Sequence, residues 1–208
     1  MVEPLEHCAE GVMLHSGISR RHPVGAAVTR AFLACALTAC APWVQVEGPF
    51  RMESQGYEVV LPAGWWREAS TENPFLLTKD GVSLQYISID RVVVGDELPN
   101  TKKKFAKGMS PDDVAAVELE EARSGQGIRS FALVEKAPFP LAGYPGFKLA
   151  YSFKTEDGLR LRRVQYGAMV RDRVYRVQYQ AAARYYFDKD LAAFERLRES
   201  FRITDSGI

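Results

Sequence analysis

Histidine and cysteine are nearly missing from this chain, and the few present lie at one end. The three histidines are His7, His15 and His22, and the three cysteines are Cys8, Cys35 and Cys40. From residue 41 onward there is neither, which removes Ser-His-Asp and Cys-His catalysis, intrachain disulfides and the usual His/Cys zinc sites from that stretch. An enzyme built there would have to use carboxylates, Lys, Tyr, Ser or Thr. The Gly-x-Ser-x-Gly elbow, the phosphate-cradling Gly loop, the dinucleotide fingerprint and the EF-hand spacing are all absent, although a carboxylate-only calcium or magnesium site stays open. Charge of one sign is lacking too, with 27 Lys+Arg against 26 Asp+Glu and a net charge of +1, so no basic excess points to nucleic acid. Nor is there a long hydrophobic run. The apolar stretch Ala31 to Val44 falls short of the roughly 20 residues a membrane-crossing helix needs.

That short apolar run is nevertheless informative in its setting. It follows Arg20, Arg21 and Arg30 and ends in Leu37-Thr38-Ala39-Cys40. A basic region, an apolar stretch and small residues before a cleavage point make a secretory leader, and the terminal cysteine resembles the lipobox of a bacterial lipoprotein. The resemblance implies cleavage before Cys40, a thioether-linked diacylglycerol on Cys40 and a membrane anchor. Residues 1–39 are then the leader. Glu3, Glu6 and Glu10 are wrong for a positive n-region, so translation is expected to start at Met13 as readily as at Met1. Ser19-Arg20-Arg21 echoes a twin-arginine signal, but His22-Pro23 stands where an apolar pair belongs. Ala41 after the cysteine resembles outer-membrane sorting, facing the periplasm.

Residues 40–55 show no clear period and carry Pro42, Gly48 and Pro49, so a tether is expected. An α+β domain should span 56–203, followed by a tail at 204–208. Tyr57, Val59 and Leu61 alternate as in a strand, with Pro62 and Gly64 punctuating its end. Lys79-Asp80-Gly81 between β-rich runs predicts a hairpin. Ser110-Pro111-Asp112-Asp113 supplies an N-cap, a first-turn proline and first-turn acids. It predicts a helix to about Arg123 with an apolar stripe of Ala115, Leu119 and Ala122 beside Val114 and Val117. The following meander alternates Phe147, Leu149, Tyr151 and Phe153 with polar residues, turns at Asp157-Gly158, and flips parity at Arg162-Arg163, where a β-bulge is expected. Phe187, Leu191, Phe194, Leu197 and Phe201 recur at helical spacing and close the domain. The expected class is a mostly antiparallel sheet with a central and a C-terminal helix packed on it.

The opening Gly56-Tyr57-x-Val59-x-Leu61-Pro62-x-Gly64-Trp65, the aromatic meander and the closing helix resemble the PsbP-like group over residues 56–203. A photosystem II extrinsic protein and a eukaryotic Ran-binding import factor share that fold. The resemblance implies an antiparallel sheet with helices on both sides, used as a scaffold, and carries over no site motif; fold alone does not give function.

Lys148, Ser152, Lys154, Arg163, Gln165, Arg176, Gln178 and Gln180 read as the outward residues of the last strands. Such a basic, amide-rich face suits an anion or glycan, since guanidinium forks meet carboxylate or phosphate. A solvated sheet face is the simpler reading of the same residues. Lys102, Lys103, Lys104 and Lys107 could meet anionic headgroups, but acidic neighbours make a solvated charge run the simpler reading. Of Trp65 and Trp66, strand alternation sends one to the core and leaves the other free to stack on a sugar. Asp80 and Asp90 are acids that glycosidase-type chemistry could use, or plain turn and surface residues. The expectation is therefore an envelope lipoprotein with a non-catalytic binding or scaffolding domain, needing no cofactor and no nucleic acid. Its expected partners are the membrane through Cys40 and an envelope protein or anionic glycan. The alternatives are a carboxylate-dependent hydrolase of envelope polymers and an accessory subunit of an envelope complex.

Overall fold

The computed structural model describes residues 43–70 and 72–204. Cys40, the leader and residues 205–208 lie outside the described residues. Nine strands and two α-helices follow one another as β1 (Trp43–Met52), β2 (Tyr57–Glu68), β3 (Phe75–Thr78), β4 (Gln85–Val93), α1 (Pro111–Arg123), β5 (Arg129–Pro138), β6 (Gly146–Lys154), β7 (Arg160–Val170), β8 (Arg173–Ala182), α2 (Tyr186–Ser200) and β9 (Arg202–Ile203). They build one antiparallel sheet in the order β1-β2-β3-β4-β8-β7-β6-β5, with β9 added to β2. The α+β class expected from the sequence is the one observed.

Both sheet faces are covered, and each helix builds a core. On one face α2 packs through Phe187, Phe194 and Leu197 against Tyr57, Trp65, Leu77, Ile87, Tyr166 and Tyr179. On the other, α1 brings Val114 and Ala115 over Phe147, Leu149 and Tyr151, with Leu98 and Phe105 of the 94–110 loop joining them. This arrangement explains the parity flip in β7. The registers of β7 with β6 and β8 run unbroken from Arg160 to Val170, so the bulge expected at Arg162-Arg163 is not there. Leu161 belongs to the α1 core while Val164, Tyr166, Ala168 and Val170 belong to the α2 core. A strand with apolar cover on both sides has no need to keep one apolar parity.

Two other expectations are corrected. Residues 43–52, read as tether, form β1 and pair along β2, and residues 53–55 are a 3₁₀ turn. Pro62 and Gly64 do not end β2. They sit in a register shift where β1 supplies one residue between Val46 and Gly48 while β2 supplies the three between Leu61 and Trp65, with Gly64 at a φ of +75°. The irregularity that hid β1 from a periodicity reading is this bulge. In α1 the cap is as expected: the Ser110 hydroxyl accepts from the Asp113 N–H and the Asp113 carboxylate accepts from the Ser110 N–H. Its buried face differs, because Glu118 and Glu121 are buried while Leu119 and Ala122 are only partly so.

Candidate functional site

Strand register separates the residues that the sequence placed together. Lys148, Ser152 and Lys154 of β6 stand opposite Tyr166, Arg162 and Arg160 of β7, on the α2 side, where Lys148 pairs with Glu135 at 2.8 Å. Arg163, Gln165, Arg176, Gln178 and Gln180 stand on the α1 side, since Arg163 faces Tyr151 and Gln180, and Gln165 faces Leu149 and Gln178. The expected single face is therefore two half-faces, and the α1-side half is a polar layer of adjacent hydrogen-bonded groups.

Within that layer the two arginines meet opposite circumstances. Arg176 is held between two acids, with an ion pair from its Nε to Asp90 and its Nη1 3.3 Å from Glu118. Gln165 donates to the second Glu118 oxygen at 2.8 Å. Burial pushes the Glu118 carboxyl above its ordinary pKa, outweighing the opposing Arg176 charge and Gln165 hydrogen bond. This group fastens α1 to β4, β7 and β8. Gln178 donates to the Ser88 hydroxyl at 2.7 Å beside it.

Arg163 is half-buried, and among the described residues its hydrogen-bond partners are all neutral. Its Nη1 donates to the Tyr151 hydroxyl at 3.1 Å, its Nη2 to the Tyr86 hydroxyl at 2.8 Å, and its Nε and Nη2 both to the side-chain amide oxygen of Gln180. Burial pushes the Tyr151 phenol above its ordinary value, so it stays uncharged and supplies no counter-charge. A guanidinium keeps its proton, and taking a charge out of water is costly unless it is paired. The donor count is also lopsided. Four hydrogen bonds leave Arg163 one N–H of its five. Because both phenols accept from Arg163, their own hydrogens are turned away from it. The Gln180 side-chain oxygen is likewise committed to Arg163, and its NH₂ has no acceptor among the described residues. A spare guanidinium N–H, the Tyr86 O–H and the Gln180 amide hydrogens make a set of donors around one positive charge that lies over the Tyr151 and Phe153 rings and has no ion-pair partner among the described residues. Chemically, that is a receptor for an anionic oxygen.

The other sequence candidates are placed as follows. Trp65 is core at 1% exposure and Trp66 stands on the opposite, α1-side face at 41%. In the lysine run, Lys103 pairs with Glu120 and Lys104 with Glu97, all exposed, as a solvated charge run requires. Asp80 accepts from Lys189 at 2.7 Å and from Gln85, and Asp90 from Arg176. With Lys79 donating to buried Asp190 at 2.9 Å, the first of these groups clamps the β3–β4 turn to α2. The cleft of 390 Å³ beside it is lined by Lys79, Lys189, Asp190 and Arg196, and Lys79, Lys189 and Asp190 there are already ion-paired. Among the described residues no group of three or more acids, His or Cys is placed to hold a metal ion, and no helix is long and apolar enough to cross a membrane.

Sequence reasoning missed Tyr86, Tyr151 and Glu118. Tyr86, Ser88 and Asp90 alternate with Ile87 and Ile89, so their shared polar face was readable. Tyr151 was read as core, and nothing local marks its hydroxyl as the partner of a residue on the next strand.

No family model and no curated protein matches the sequence. Solved structures do match in shape. Cyanobacterial PsbP (CyanoP) from Synechocystis superposes with a TM-score of 0.52 at 15% identity, over 82% of this chain and 97% of that one. The Ran-binding protein Mog1p of Saccharomyces cerevisiae gives 0.52 at 8% identity, over 78% and 98%. At such identities a likeness speaks for architecture alone. The chain thus carries the α+β fold of PsbP and Mog1, and on its α1-side sheet face it carries an arginine that has no counter-ion among the described residues.

Proposed function

We propose that this protein is an envelope lipoprotein, anchored by diacylglycerol on Cys40 at the outer membrane, whose domain binds an anionic ligand and does no catalysis. The observation that carries the binding role is Arg163: a half-buried arginine ringed by Tyr86, Tyr151 and Gln180, with no carboxylate in ion-pairing distance among the described residues. A ligand carboxylate there would receive the spare N–H, the Tyr86 O–H and the Gln180 amide. Support for the anchor is the Leu37-Thr38-Ala39-Cys40 sequence alone.

Titration of the protein with galacturonate, followed by NMR or calorimetry, tests the binding role. Removing a charge-assisted pair costs roughly 1.5–3 kcal/mol, so Arg163→Met should weaken binding by about 10- to 100-fold with the melting temperature kept. Equal binding by the variant refutes the reading. For the anchor, intact mass and membrane fractionation of natively expressed protein should show cleavage before Cys40 plus lipid, and a Cys40→Ser variant should be released or unprocessed. An unlipidated wild-type product would overturn it.

A further inference from the structure

The strand pairings set Arg163 in a transverse row that crosses most of the sheet. Trp66 of β2 pairs with Thr78 of β3. Continuing the β3–β4 register by one residue sets Thr78 beside Tyr86, Tyr86 pairs with Gln180 of β8, and Gln180 with Arg163 of β7. All five stand on the α1-side face, because their neighbours Trp65, Leu77, Ile87, Tyr179 and Val164 belong to the α2 core. Four strand spacings separate Trp66 from Arg163, about 19 Å along the sheet.

The chemistry of the row changes from end to end. Trp66 offers an exposed indole, 41% accessible; Thr78 beside it is buried, its hydroxyl donating to the Gln85 backbone carbonyl at 2.7 Å; then come a phenol, an amide and the guanidinium. The acids nearest on that face are occupied: Asp90 and Glu118 hold Arg176, and Glu68 accepts from Ser70. The row therefore carries one net positive charge at one end and an aromatic platform at the other.

We propose that this row is the binding track of a carboxylate-bearing polysaccharide, laid across the strands with an acidic group at Arg163 and a sugar ring stacked on Trp66. The inference rests on the anion site at Arg163 and extends it to a polymer. Charge complementarity selects the occupant: among the described residues no anion neutralises Arg163, and a platform four strands away serves only a ligand long enough to reach it. A free small anion would leave Trp66 unused.

The test is calorimetry on the full chain in detergent with galacturonate, hexagalacturonate and the neutral maltohexaose. Hexagalacturonate should bind more tightly than the monomer, and maltohexaose should bind far more weakly. Trp66→Ala should weaken the hexamer about tenfold and leave the monomer unchanged, with Trp66→Phe restoring part of the loss. Arg163→Met should weaken both by about 10- to 100-fold. If Trp66→Ala leaves the hexamer affinity intact while Arg163→Met lowers it, the track is wrong and the anion site stands. Unaltered binding in Arg163→Met removes the site and the track together. Equal binding of maltohexaose, or no binding of the hexamer, also overturns the proposal. In that last case, a photo-crosslink from position 66 to an envelope protein would put a protein in the polysaccharide's place.

Discussion

Glu118 shows how a single residue couples folding to pH. It is 3% exposed, and burial raises its pKa despite the Arg176 charge and the Gln165 amide. An acid raised on folding favours the native state below its unfolded value of about 4.3, and that contribution is lost as pH rises through the folded value. Glu121 works the other way. Its carboxylate is partly desolvated, but hydrogen bonds from Thr101 and Asn100 outweigh that and lower its pKa. Its contribution is present above about 4.3 and is lost as pH falls. Urea unfolding at several pH values should therefore find Glu118→Gln at least as stable as wild type at pH 8 and nearly equal to it at pH 4, with Gln165 and Arg176 still meeting an amide oxygen. Glu118→Ala should lose about 3 kcal/mol, because the buried partners are stranded. An unchanged pH slope in Glu118→Gln would show that the carboxylate is not the source.

At the scale of elements, β6, β7 and β8 approach so closely that two glycines are obligatory for reasons of space rather than backbone angle. A Cβ on Gly146 would lie 2.3 Å from the Gly167 carbonyl oxygen, and one on Gly167 would lie 2.4 Å from Cζ of Phe147. Backbone cannot turn aside, whereas the Phe147 ring can shift slightly. Overpacking typically costs about 1–3 kcal/mol, so in denaturant unfolding Gly146→Ala should fall at or beyond the upper end of that range and Gly167→Ala within it. The reverse ranking would mean that the β6–β7 pair yields more readily than the α1 core. The helices show the complementary case. The start of α1 was legible because capping is local, in Ser110, Pro111 and Asp113. Its buried carboxylates were not, because their partners Arg176 and Thr101 come from other elements.

For the molecule as a whole, the sheet is one continuous wall between two cores, and α2 with its following residue closes the larger one. Phe201 has its ring 5.4 Å from Tyr57 and 6.4 Å from Tyr175. It thereby joins β2 to β8, which are separated in the sheet by β3 and β4. Beyond it, β9 pairs Ile203 with Tyr57. Replacing Phe201 by Ala should cost about 3–5 kcal/mol, read as a lower denaturation midpoint, while binding at the α1-side row is unaffected because that face belongs to the other core. Loss of galacturonate binding in a folded Phe201→Ala protein would show that the two faces are not independent.

The sequence by itself determined the α+β class, the site of the α1 cap, the amphipathic α2 with Phe187, Phe194 and Leu197, and that Trp65 and Trp66 part to opposite faces. Each of these depends on neighbours within a few residues, through capping, periodicity or alternation. Only the tertiary structure decided that β1 is a strand, that β7 is covered on both sides, and which polar residues share a face. Lys148 and Arg163 look alike along the chain, yet β6–β7 register sends one to each side of the sheet. Register is a property of paired strands, fixed by what packs on the two faces, and so the lone charge of Arg163 becomes visible only once Tyr86, Tyr151 and Gln180 are brought to it from three other strands.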